Sequence, residues 1–471
     1  GFIRVIGQPY ILRQGLNCHS CRKQYKEKLC RVNTWIQNLL FIISWNLTVV
    51  RIERKKDMPV RIVIIGGGAS GLAAAITAAG QDADVTILEH KDRVGKKILM
   101  TGNGKCNLTN LSDYHGKYYG ENIKSIYGVL SRFTPMDTIE FFKEIGLYTK
   151  QKKDGGIYPV SEQASAVLDV LRTTCDHLGV KTLTECEPSK IITGKHGGTV
   201  QYIYQKKEKR QIPYDKLILA TGGQAAPVSG SDGTGYQLAR SLGHHLITPL
   251  PALVQLRCEG NYFKSISGVR AQAELTLYIN KQQAAREEGE LQLTDYGISG
   301  IPVFQFSRIA VRAIKEKKQC EVHINFLPYL TRDELENLEK EQYKFAYKTV
   351  EEFLSGIVNK KIASLMCRRY QIKQDTLLGK VQEKTFRECL RELTDFTVTV
   401  KEANPFENAQ VCCGGIPLSE VTDNLESKYN TGVYITGELL DCDGICGGYN
   451  LQWAWATGIL AARDCVAVIK Q

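Results

Sequence analysis

The chain has 471 residues, of which 43% are hydrophobic and 24% charged, as in globular proteins with a core large enough for two or three domains. The formal net charge is +11. Residues 1–57 carry +8 of it, with 11 lysines and arginines against three acidic residues. The remaining +3 is too small to indicate a nucleic-acid partner. The 15 cysteines are odd in number and scattered, which argues against a disulfide framework and favours free thiols in a reducing cytoplasm.

Residues 1–57 are predicted to be a non-native or disordered extension. The first methionine is Met58, just before the first predicted strand, and purine-rich codons can encode the residues preceding it, as a bacterial ribosome-binding site requires. The apolar stretch 35–50 is too short and too polar to span a membrane, and no small-residue cleavage site follows it. Cys18 and Cys21 lack a second ligand pair, so zinc is not predicted there. Our hypothesis is that Met58 is the true start.

Residues 62–89 have the order of a dinucleotide-binding unit. An apolar β-branched run over 62–65 predicts a buried parallel strand, and the Ala-rich stretch 72–79 predicts a helix. A second strand is predicted over 85–88, and Glu89 follows it. This strand–helix–strand pattern predicts an α/β fold with a nucleotide site at the first turn.

Three glycines of the pattern G-x-G-x-x-G lie in that turn. Gly66 permits the tight turn, Gly68 has no Cβ and lets a pyrophosphate approach, and Gly71 lets helix and strand pack closely. The unpaired N–H groups at the helix start can bind the phosphates. The separation of Glu89 from the glycines suits a hydrogen bond to ribose hydroxyls. Together these features predict a bound dinucleotide.

Further along the chain, short polar residues and glycines recur in three places. Residues 92–110 alternate glycines with amides and hydroxyls and contain lysines, which favours a loop that presents N–H groups to a cofactor anion. Thr221, Gly222 and Gly223 follow a predicted buried strand, where backbone approaches a ligand or another turn. Glycines also precede a small-residue helix predicted over 451–468, and the nearby Glu438 can bond polyol hydroxyls.

The remaining elements are predicted in chain order. We expect helices within 121–150 and over 162–179, then strands over 181–192, 200–204, 209–214 and 217–220, and a helix over 236–242. His244 and His245 are adjacent, so we expect them to diverge as surface or packing residues. Short strands over 253–258, 273–279, 290–294 and 320–326 predict a small β domain. A capping box at residues 331–334 begins a long charged helix to about Ile357, followed by helix over 360–393 and strands over 396–400, 409–413 and 432–435.

The two glycine fingerprints lie at opposite ends of the chain, which predicts one nucleotide domain built from both ends with other segments inserted. The predicted boundaries are 58–248 for its first part, 249–330 for an inserted β domain, 331–394 for a helical insertion, 395–408 for a return strand of the β domain, and 409–471 for the C-terminal part of the nucleotide domain.

Several longer motifs resemble one family. Residues 66–71 (GGGASG), 95–98 (GKKI), 101–110 (TGNGKCNLTN), 295–302 (DYGISGIP), 437–438 and 447–455 (GGYNLQWAW) closely resemble the BaiN-like, or aminoacetone oxidase, family of FAD-binding proteins. The resemblance covers residues 58–471. It implies a bacterial flavoprotein with noncovalent FAD, a Rossmann-like FAD domain of the two-dinucleotide-binding-domain type, an inserted β-barrel-like domain and a helical insertion.

The resemblance also implies roles for residues. The turn at Gly66 and Glu89 would hold the adenosine half of FAD, residues 97–107 would line its pyrophosphate and ring, Gly437 and Glu438 would meet the ribityl chain, and residues 448–451 the pyrimidine edge. The predicted cofactor residues are Gly66, Gly68, Ala69, Ser70, Gly71, Glu89, Lys97, Gly102, Asn103, Gly104, Lys105, Cys106, Asn107, Thr221, Gly222, Gly223, Gly437, Glu438, Gly447, Gly448, Asn450 and Leu451. Lys105 stands where many members carry Arg, which keeps the charge but loses bidentate geometry.

The chemistry implied is hydride transfer between FAD and a small organic substrate. No second G-x-G-x-x-G lies in a strand–helix frame, so NADH or NADPH would bind transiently over the flavin. Tyr449 is the candidate proton donor, with packing an equal alternative. Cys412, Cys413, Cys442 and Cys446 are interpreted as structural thiols, although they could approach the flavin.

Three functions remain open. The first is a flavin reductase of a carbon–carbon double bond, probed by flavin bleaching with NAD(P)H. The second is an O₂-using, aminoacetone-type amine oxidase. The third is a flavoprotein that mainly binds RNA or a protein, which the near-neutral charge from Met58 onward argues against. We expect a cytoplasmic enzyme with a small-molecule substrate and without a metal, a nucleic-acid partner or a membrane association.

Overall fold

The computed structural model describes residues 59–467. The predicted N-terminal extension and the proposed start at Met58 lie outside these described residues. Within residues 59–467, no helix combines the length and the apolar character needed to cross a membrane.

A five-stranded parallel sheet forms the centre of the nucleotide-binding part. Four of its strands are mostly buried apolar runs, as expected of a parallel sheet covered by helices, whereas the edge strand Lys181–Leu183 is exposed. In spatial order the strands are Val433–Ile435, Lys216–Leu219, Arg61–Ile65, Asp84–Leu88 and Lys181–Leu183. The strand predicted over 181–192 is divided at Glu185, whose φ of +54° turns the chain, and its second half pairs elsewhere.

Two helices from opposite ends of the chain pack on each other against this sheet: Ala69–Ala79 and Tyr449–Ala467. A Cβ at Gly458 would lie 2.2 Å from the carbonyl oxygen of Ser70, so only glycine permits this approach. The predicted α/β Rossmann-type fold is confirmed.

Smaller elements surround the sheet. The helices are Lys96–Met100, Ile123–Arg132, Pro135–Glu144, Ala164–His177 and Thr234–Ser241. Within the described residues, antiparallel strands outside the barrel form four small sheets. Two have three strands: Cys186–Gly194 with Gly197–Tyr204 and Glu208–Tyr214, and Thr109–Asn110 with Gly156–Pro159 and Thr149–Gln151. Two are pairs: Ile247–Ala252 with Val411–Gly415, and Tyr118–Tyr119 with Asp443–Gly444.

The inserted β region is a closed six-stranded barrel. In spatial order its strands are Leu256–Cys258, Gly297–Ser299, Gln282–Leu293, Arg270–Ile279, Cys320–Asn325 and Phe396–Ala403. The predicted barrel-like insertion is thus confirmed. The helix Ile301–Lys315, which we call the barrel helix, was not predicted from the sequence. Pro302 in its first turn and buried residues at helical spacing are the features that could have revealed it.

The helical insertion is more broken than predicted. The expected long helix to about Ile357 is wrong, because the chain forms separate helices Arg332–Lys340 and Val350–Leu354. A second capping box, between Thr349 and Glu352, starts the latter. The next helices of the insertion are Lys360–Arg369 and Glu383–Thr394, so the helix expected over 360–393 is also two helices. A short helix, Phe263–Ile266, lies between two barrel strands.

The expectation that His244 and His245 diverge is also wrong. Both rings turn to one carboxylate: Nδ1 of His244 lies 2.9 Å from Oε2 of Glu420, and Nδ1 of His245 lies 2.5 Å from Oε1. The two rings reach opposite oxygens, so a single glutamate can pair with adjacent residues. His244 is buried and His245 is exposed.

Candidate functional site

A cleft of about 760 Å³ opens at the carboxyl ends of the parallel strands. Such an edge is where ligands bind in α/β sheets. The predicted residues that line it are Gly66, Gly68, Ala69, Ser70, Glu89, Lys97, Gly102, Asn103, Asn107, Thr221, Gly222, Gly437, Glu438, Gly447, Gly448, Tyr449, Asn450 and Leu451. Gly71, Gly104, Lys105, Cys106 and Gly223 are not among the lining residues. The fold therefore brings both ends of the chain to one cavity.

The three positions of the first turn are occupied by glycine for different physical reasons. Gly66 has a φ of +102°, and a Cβ there would lie 2.5 Å from the carbonyl oxygen of Ala220. A Cβ at Gly71 would lie 2.0 Å from the carbonyl oxygen of Gly66. At Gly68 a Cβ would meet no protein atom within 4 Å and would project into open space. The fold itself requires Gly66 and Gly71, whereas the absent side chain at Gly68 leaves room for a ligand.

The helix after this turn begins without a capping side chain at Gly68. The first N–H groups of a helix have no intrahelical partner, and the positive end of the helix dipole attracts anions. Ala69 and Ser70, in the first turn, line the cleft. This arrangement suits a pyrophosphate.

Glu89 is a buried carboxylate held in one orientation. Its Oε2 accepts from the N–H of Gly67 at 2.9 Å, and its Oε1 accepts from the N–H of Lys91 at 2.8 Å. Each carboxylate oxygen has a second acceptor site, so Glu89 can still accept from ligand hydroxyls.

Glu438 also lines the cleft and joins three segments that are distant in sequence. Its Oε2 lies 2.6 Å from Nζ of Lys97, and its Oε1 accepts from the N–H of Cys412 at 2.7 Å. The N–H of Gly223 donates to Oε2 at 3.4 Å. Lys97 and Glu438 therefore form an ion pair inside the cleft, which the sequence analysis assigned to separate parts of the cofactor.

Asn107 provides a test of whether a ligand fits here. Its Oδ1 is buried and has no hydrogen-bond partner among the described residues. A Cβ at Gly448 would lie 2.8 Å from this oxygen, so glycine leaves the space beside it open. An unpaired buried acceptor costs about 1–3 kcal/mol unless a donor satisfies it. The site fits a bound group that carries an N–H or O–H donor, as FAD does.

The turn that precedes the C-terminal helix is held rigidly. Gly447 and Gly448 have φ values of +126° and +97°. The Asn450 side chain accepts from the N–H of Gly444 and donates to its carbonyl, both at 2.8 Å. Behind the turn, Oε1 of Gln452 accepts from two buried threonine hydroxyls. The helix start is thus preorganised at one end of the cleft.

Tyr449 lines the cleft with a buried ring that packs edge-on against Tyr118, the ring centroids 5.7 Å apart. Burial raises the pKa of the Tyr449 phenol above its ordinary value. The hydroxyl therefore stays protonated at neutral pH, which is the state that a proton donor needs.

The cysteines near the cleft are thiols of raised pKa. Cys442 and Cys446 line it, and burial raises the pKa of Cys446 to about 12. Burial likewise raises the pKa values of Cys412 and Cys413. Every cysteine that the structure describes is free. Protonated thiols are poor nucleophiles, which favours the structural interpretation.

One entire wall of the cleft was not predicted from the sequence. Leu253, Ile301, Phe304 and Val411 form this apolar wall, and Ile301 and Phe304 lie on the barrel helix. Gln305, next on the barrel helix, accepts from the N–H of Cys446 at 2.8 Å. The DYGISGIP motif immediately before and within the start of this helix was the available indication.

A buried ion pair holds the barrel helix to the nucleotide domain. Nε and Nη2 of Arg308 donate to the two carboxylate oxygens of Asp443 at 2.7 and 2.9 Å. Burial raises the pKa of the Asp443 carboxyl to about 6, even though Arg308 opposes the shift. Because Cys442 and Ile445 flank Asp443 and line the cleft, the pair fixes the two walls relative to each other.

Known proteins are similar to this chain over nearly all of its described residues. The HI0933-like protein Rossmann domain matches residues 60–464. The chain is 43% identical over 407 residues to the 3-dehydro-bile acid delta(4,6)-reductase of Clostridium scindens, with 86% of this chain and 98% of that protein covered. It is 29% identical to the ribosomal RNA dihydrouridine synthase of Haemophilus influenzae, with 85% and 97% covered. The corresponding protein of Escherichia coli is 26% identical, with 86% and 98% covered.

Proposed function

Because the chain belongs to the HI0933-like Rossmann-domain family and is an FAD-dependent oxidoreductase, we propose that it reduces a carbon–carbon double bond of a small apolar substrate, with NADH or NADPH as the reductant. The reaction adds a hydride to one carbon and a proton to the other. Bound FAD supplies the hydride chemistry. The residues of this chain bind the cofactor and the substrate, orient them, and exclude water from the site.

We assign the cofactor to the cleft as follows. Residues 66–70 and Glu89 hold the adenosine half, since they combine an uncapped helix start with a fixed carboxylate. Lys97 and Glu438 meet the middle of the cofactor. Asn107 and the turn before the C-terminal helix receive the ring, whose donor would satisfy the orphaned Asn107 oxygen.

The observation that carries the proposal is the contrast between the polar and the apolar residues that line the cleft. Polar groups from distant parts of the chain line the same cleft as an apolar wall made of Leu253, Ile301, Phe304 and Val411. An apolar substrate gains roughly 25 cal/mol for each Å² of surface that it buries there. The 43% identical relative is named for a bile acid, a polycyclic compound, which agrees with such a wall. Tyr449, protonated at neutral pH, is our candidate proton donor.

A second candidate function is an O₂-using amine oxidase. Glu407 is exposed and lines the cleft near the apolar wall. A carboxylate at this position could pair with the ammonium group of an amine substrate. The reductive and oxidative half-reactions separate the two candidates.

The test is an anaerobic spectroscopic titration of the FAD-loaded full chain. We expect NADH or NADPH to bleach the flavin absorbance, and an α,β-unsaturated ketosteroid to restore it while gaining two hydrogen atoms, as measured by mass spectrometry. The saturated ketosteroid should restore nothing. Bleaching by an amine, with peroxide released on admission of air, would instead establish the oxidase and refute the reductase.

Two variants sharpen this test. Phe304→Ala removes part of the apolar wall and should raise KM for the enone about tenfold, since burying a Phe-sized contact is worth about 1.5–3 kcal/mol. Flavin bleaching by the dinucleotide should be unchanged. Tyr343→Ala, at an exposed aromatic residue of the helical insertion, is the matched control and should leave both half-reactions unchanged. An unaltered KM in Phe304→Ala would contradict the assignment of this wall to the substrate.

A further inference from the structure

Three lysines converge on one glutamate beside the cleft. Nζ of Lys105 lies 2.9 Å from Oε2 of Glu162, Nζ of Lys150 lies 2.8 Å from Oε1, and Nζ of Lys152 lies 3.7 Å from Oε2. The lysine side chains are 49%, 43% and 34% exposed, respectively, and that of Glu162 is 31% exposed. We call these four residues the lysine cluster.

The lysine cluster adjoins residues that line the cleft. Lys105 directly follows the turn Thr101–Gly104, whose first three residues line the cleft. Lys152 places its Nζ 3.9 Å from the ring centroid of Tyr158, which also lines the cleft. The lysines come from two separate segments, so only the fold brings their charges together.

Maintaining the fold does not account for this composition. A partly exposed ion pair contributes about 0–1 kcal/mol, and one lysine is enough to neutralise Glu162. Three ammonium groups around one carboxylate repel one another. The neighbouring turn changes little, because it adds one acid, Asp154, and one base, Lys153. The cluster therefore leaves a surplus of positive charge that is partly exposed to solvent beside the cleft.

Lys105 and Lys150 hold the pKa of Glu162 at about 2, so this carboxylate is ionised throughout the working pH range. In the free protein, Glu162 is the ion-pair partner of all three lysines. An incoming dianion would compete with it for the same ammonium groups. Glu162 therefore weakens the binding of any anion at this position.

We propose that Lys105, Lys150 and Lys152 bind a phosphate group of the nicotinamide dinucleotide that reduces the enzyme. This inference rests on the proposed function. In the part of the chain that the structure describes, only one sheet is parallel, and its nucleotide site is assigned to FAD. A second dinucleotide must therefore bind without a Rossmann domain of its own. Lysine binds phosphate as a point charge and needs no shaped pocket.

The test measures binding separately from turnover. NADP⁺ and NAD⁺, which cannot reduce the flavin, are titrated into the FAD-loaded full chain by isothermal titration calorimetry at low and high salt. The double variant Lys150→Gln/Lys152→Gln should raise Kd about tenfold at low salt, and less at high salt, because the contacts are exposed ion pairs. Glu162→Gln should lower Kd about threefold, because it releases the lysines.

Lys143→Gln is the matched control, since Lys143 is an exposed lysine paired with a single acid, Glu140. It should leave Kd unchanged, and thermal unfolding should show that all variants are folded. An effect on NADP⁺ alone means that the lysines contact the 2′-phosphate, whereas an effect on both probes means that they contact the pyrophosphate. Each result supports the proposal.

The proposal is overturned if wild type binds neither probe, if the double lysine variant keeps the wild-type Kd, or if Glu162→Gln weakens binding. Flavin bleaching by NADPH and NADH is recorded in parallel. A wild-type flavin that neither dinucleotide bleaches refutes the proposed reductant. A bleached flavin with lysine-independent binding refutes only the lysine cluster as the phosphate site.

Discussion

At the scale of single residues, one glycine motif contains two different physical requirements. Gly66 and Gly71 lie so close to neighbouring backbone that a Cβ would overlap carbonyl oxygens. Gly68 has free space around its missing side chain, and that space belongs to the cleft. Substitutions at these positions should therefore separate the stability of the fold from the affinity for the cofactor.

We expect Gly68→Ala to raise the Kd for FAD about tenfold or more, since the new methyl group occupies the space of the pyrophosphate. The apoprotein should lose no more than about 1 kcal/mol of unfolding free energy, the effect of alanine at a helix N-cap. FAD fluorescence titration and urea unfolding of the apoprotein measure the two quantities.

Gly128→Ala is the control for Gly68→Ala. Gly128 lies on the exposed side of the helix Ile123–Arg132, and a Cβ there would meet no atom within 4 Å. The substitution should leave FAD affinity unchanged and raise the free energy of unfolding by about 0.5–1 kcal/mol. Wild-type FAD affinity in Gly68→Ala would show that the cofactor does not approach the backbone there.

At the scale of elements, the helical insertion shows how end signals decide where a helix begins. A charged stretch without proline over residues 332–357 predicts one continuous helix. Thr349 and Glu352 nevertheless form a capping box, in which the N–H of Glu352 donates to Thr349 and the Glu352 carboxylate accepts from the N–H of Thr349. Residues that bond their own backbone in this way favour a helix start over a helix interior.

Thr349→Ala should lower the free energy of unfolding by about 1 kcal/mol, because the N-cap loses its side-chain acceptor. Thr349→Ser keeps a hydroxyl acceptor at the same position and should retain most of the stability. Urea unfolding of both variants at neutral pH measures the difference. Equal stability of Thr349→Ala and wild type would mean that the capping box contributes nothing to the position of this helix start.

At the scale of the whole molecule, the barrel and the nucleotide domain are connected by the buried pair Arg308–Asp443. Removing one partner of such a pair leaves an uncompensated charge, which typically costs about 3–5 kcal/mol. The same pair fixes the apolar wall against the turn that precedes the C-terminal helix. Substrate and cofactor sites therefore depend on one interdomain contact.

The raised pKa of Asp443, about 6, has a defined consequence for stability. Between about pH 4, the pKa of an unfolded aspartate, and pH 6, the native state holds a proton that the unfolded state releases. The contribution of Asp443 to the free energy of unfolding therefore falls as the pH rises through this range, and it is constant above it.

Asp443→Asn lacks this titrating group. The unfolding free energy of wild type minus that of Asp443→Asn should decrease from pH 4 to pH 6 and then stay level, as measured by urea unfolding at several pH values. A difference that is level from pH 4 upward would show that the carboxyl does not titrate in this range.

Much of the nucleotide domain was predictable because its determinants are local. The first strand, the glycine turn and Glu89 lie within one short stretch, where hydrophobic period and turn chemistry alone specify the conformation. The second glycine cluster and Glu438 were predicted for the same reason. The resemblance of several motifs to a flavoprotein family then indicated the barrel and the cofactor.

What only the tertiary structure decided are the contacts between segments far apart in the chain. No local pattern in the sequence pairs Lys97 with Glu438, or Lys105 with Glu162. The apolar wall of the cleft could not be predicted for the same reason. The pattern of buried positions on the barrel helix does not show which surface those positions contact. Sequence by itself determined the turns and the nucleotide-binding pattern, since these depend on neighbouring residues; the fold decided which charges and walls meet, since those depend on the packing of distant ones.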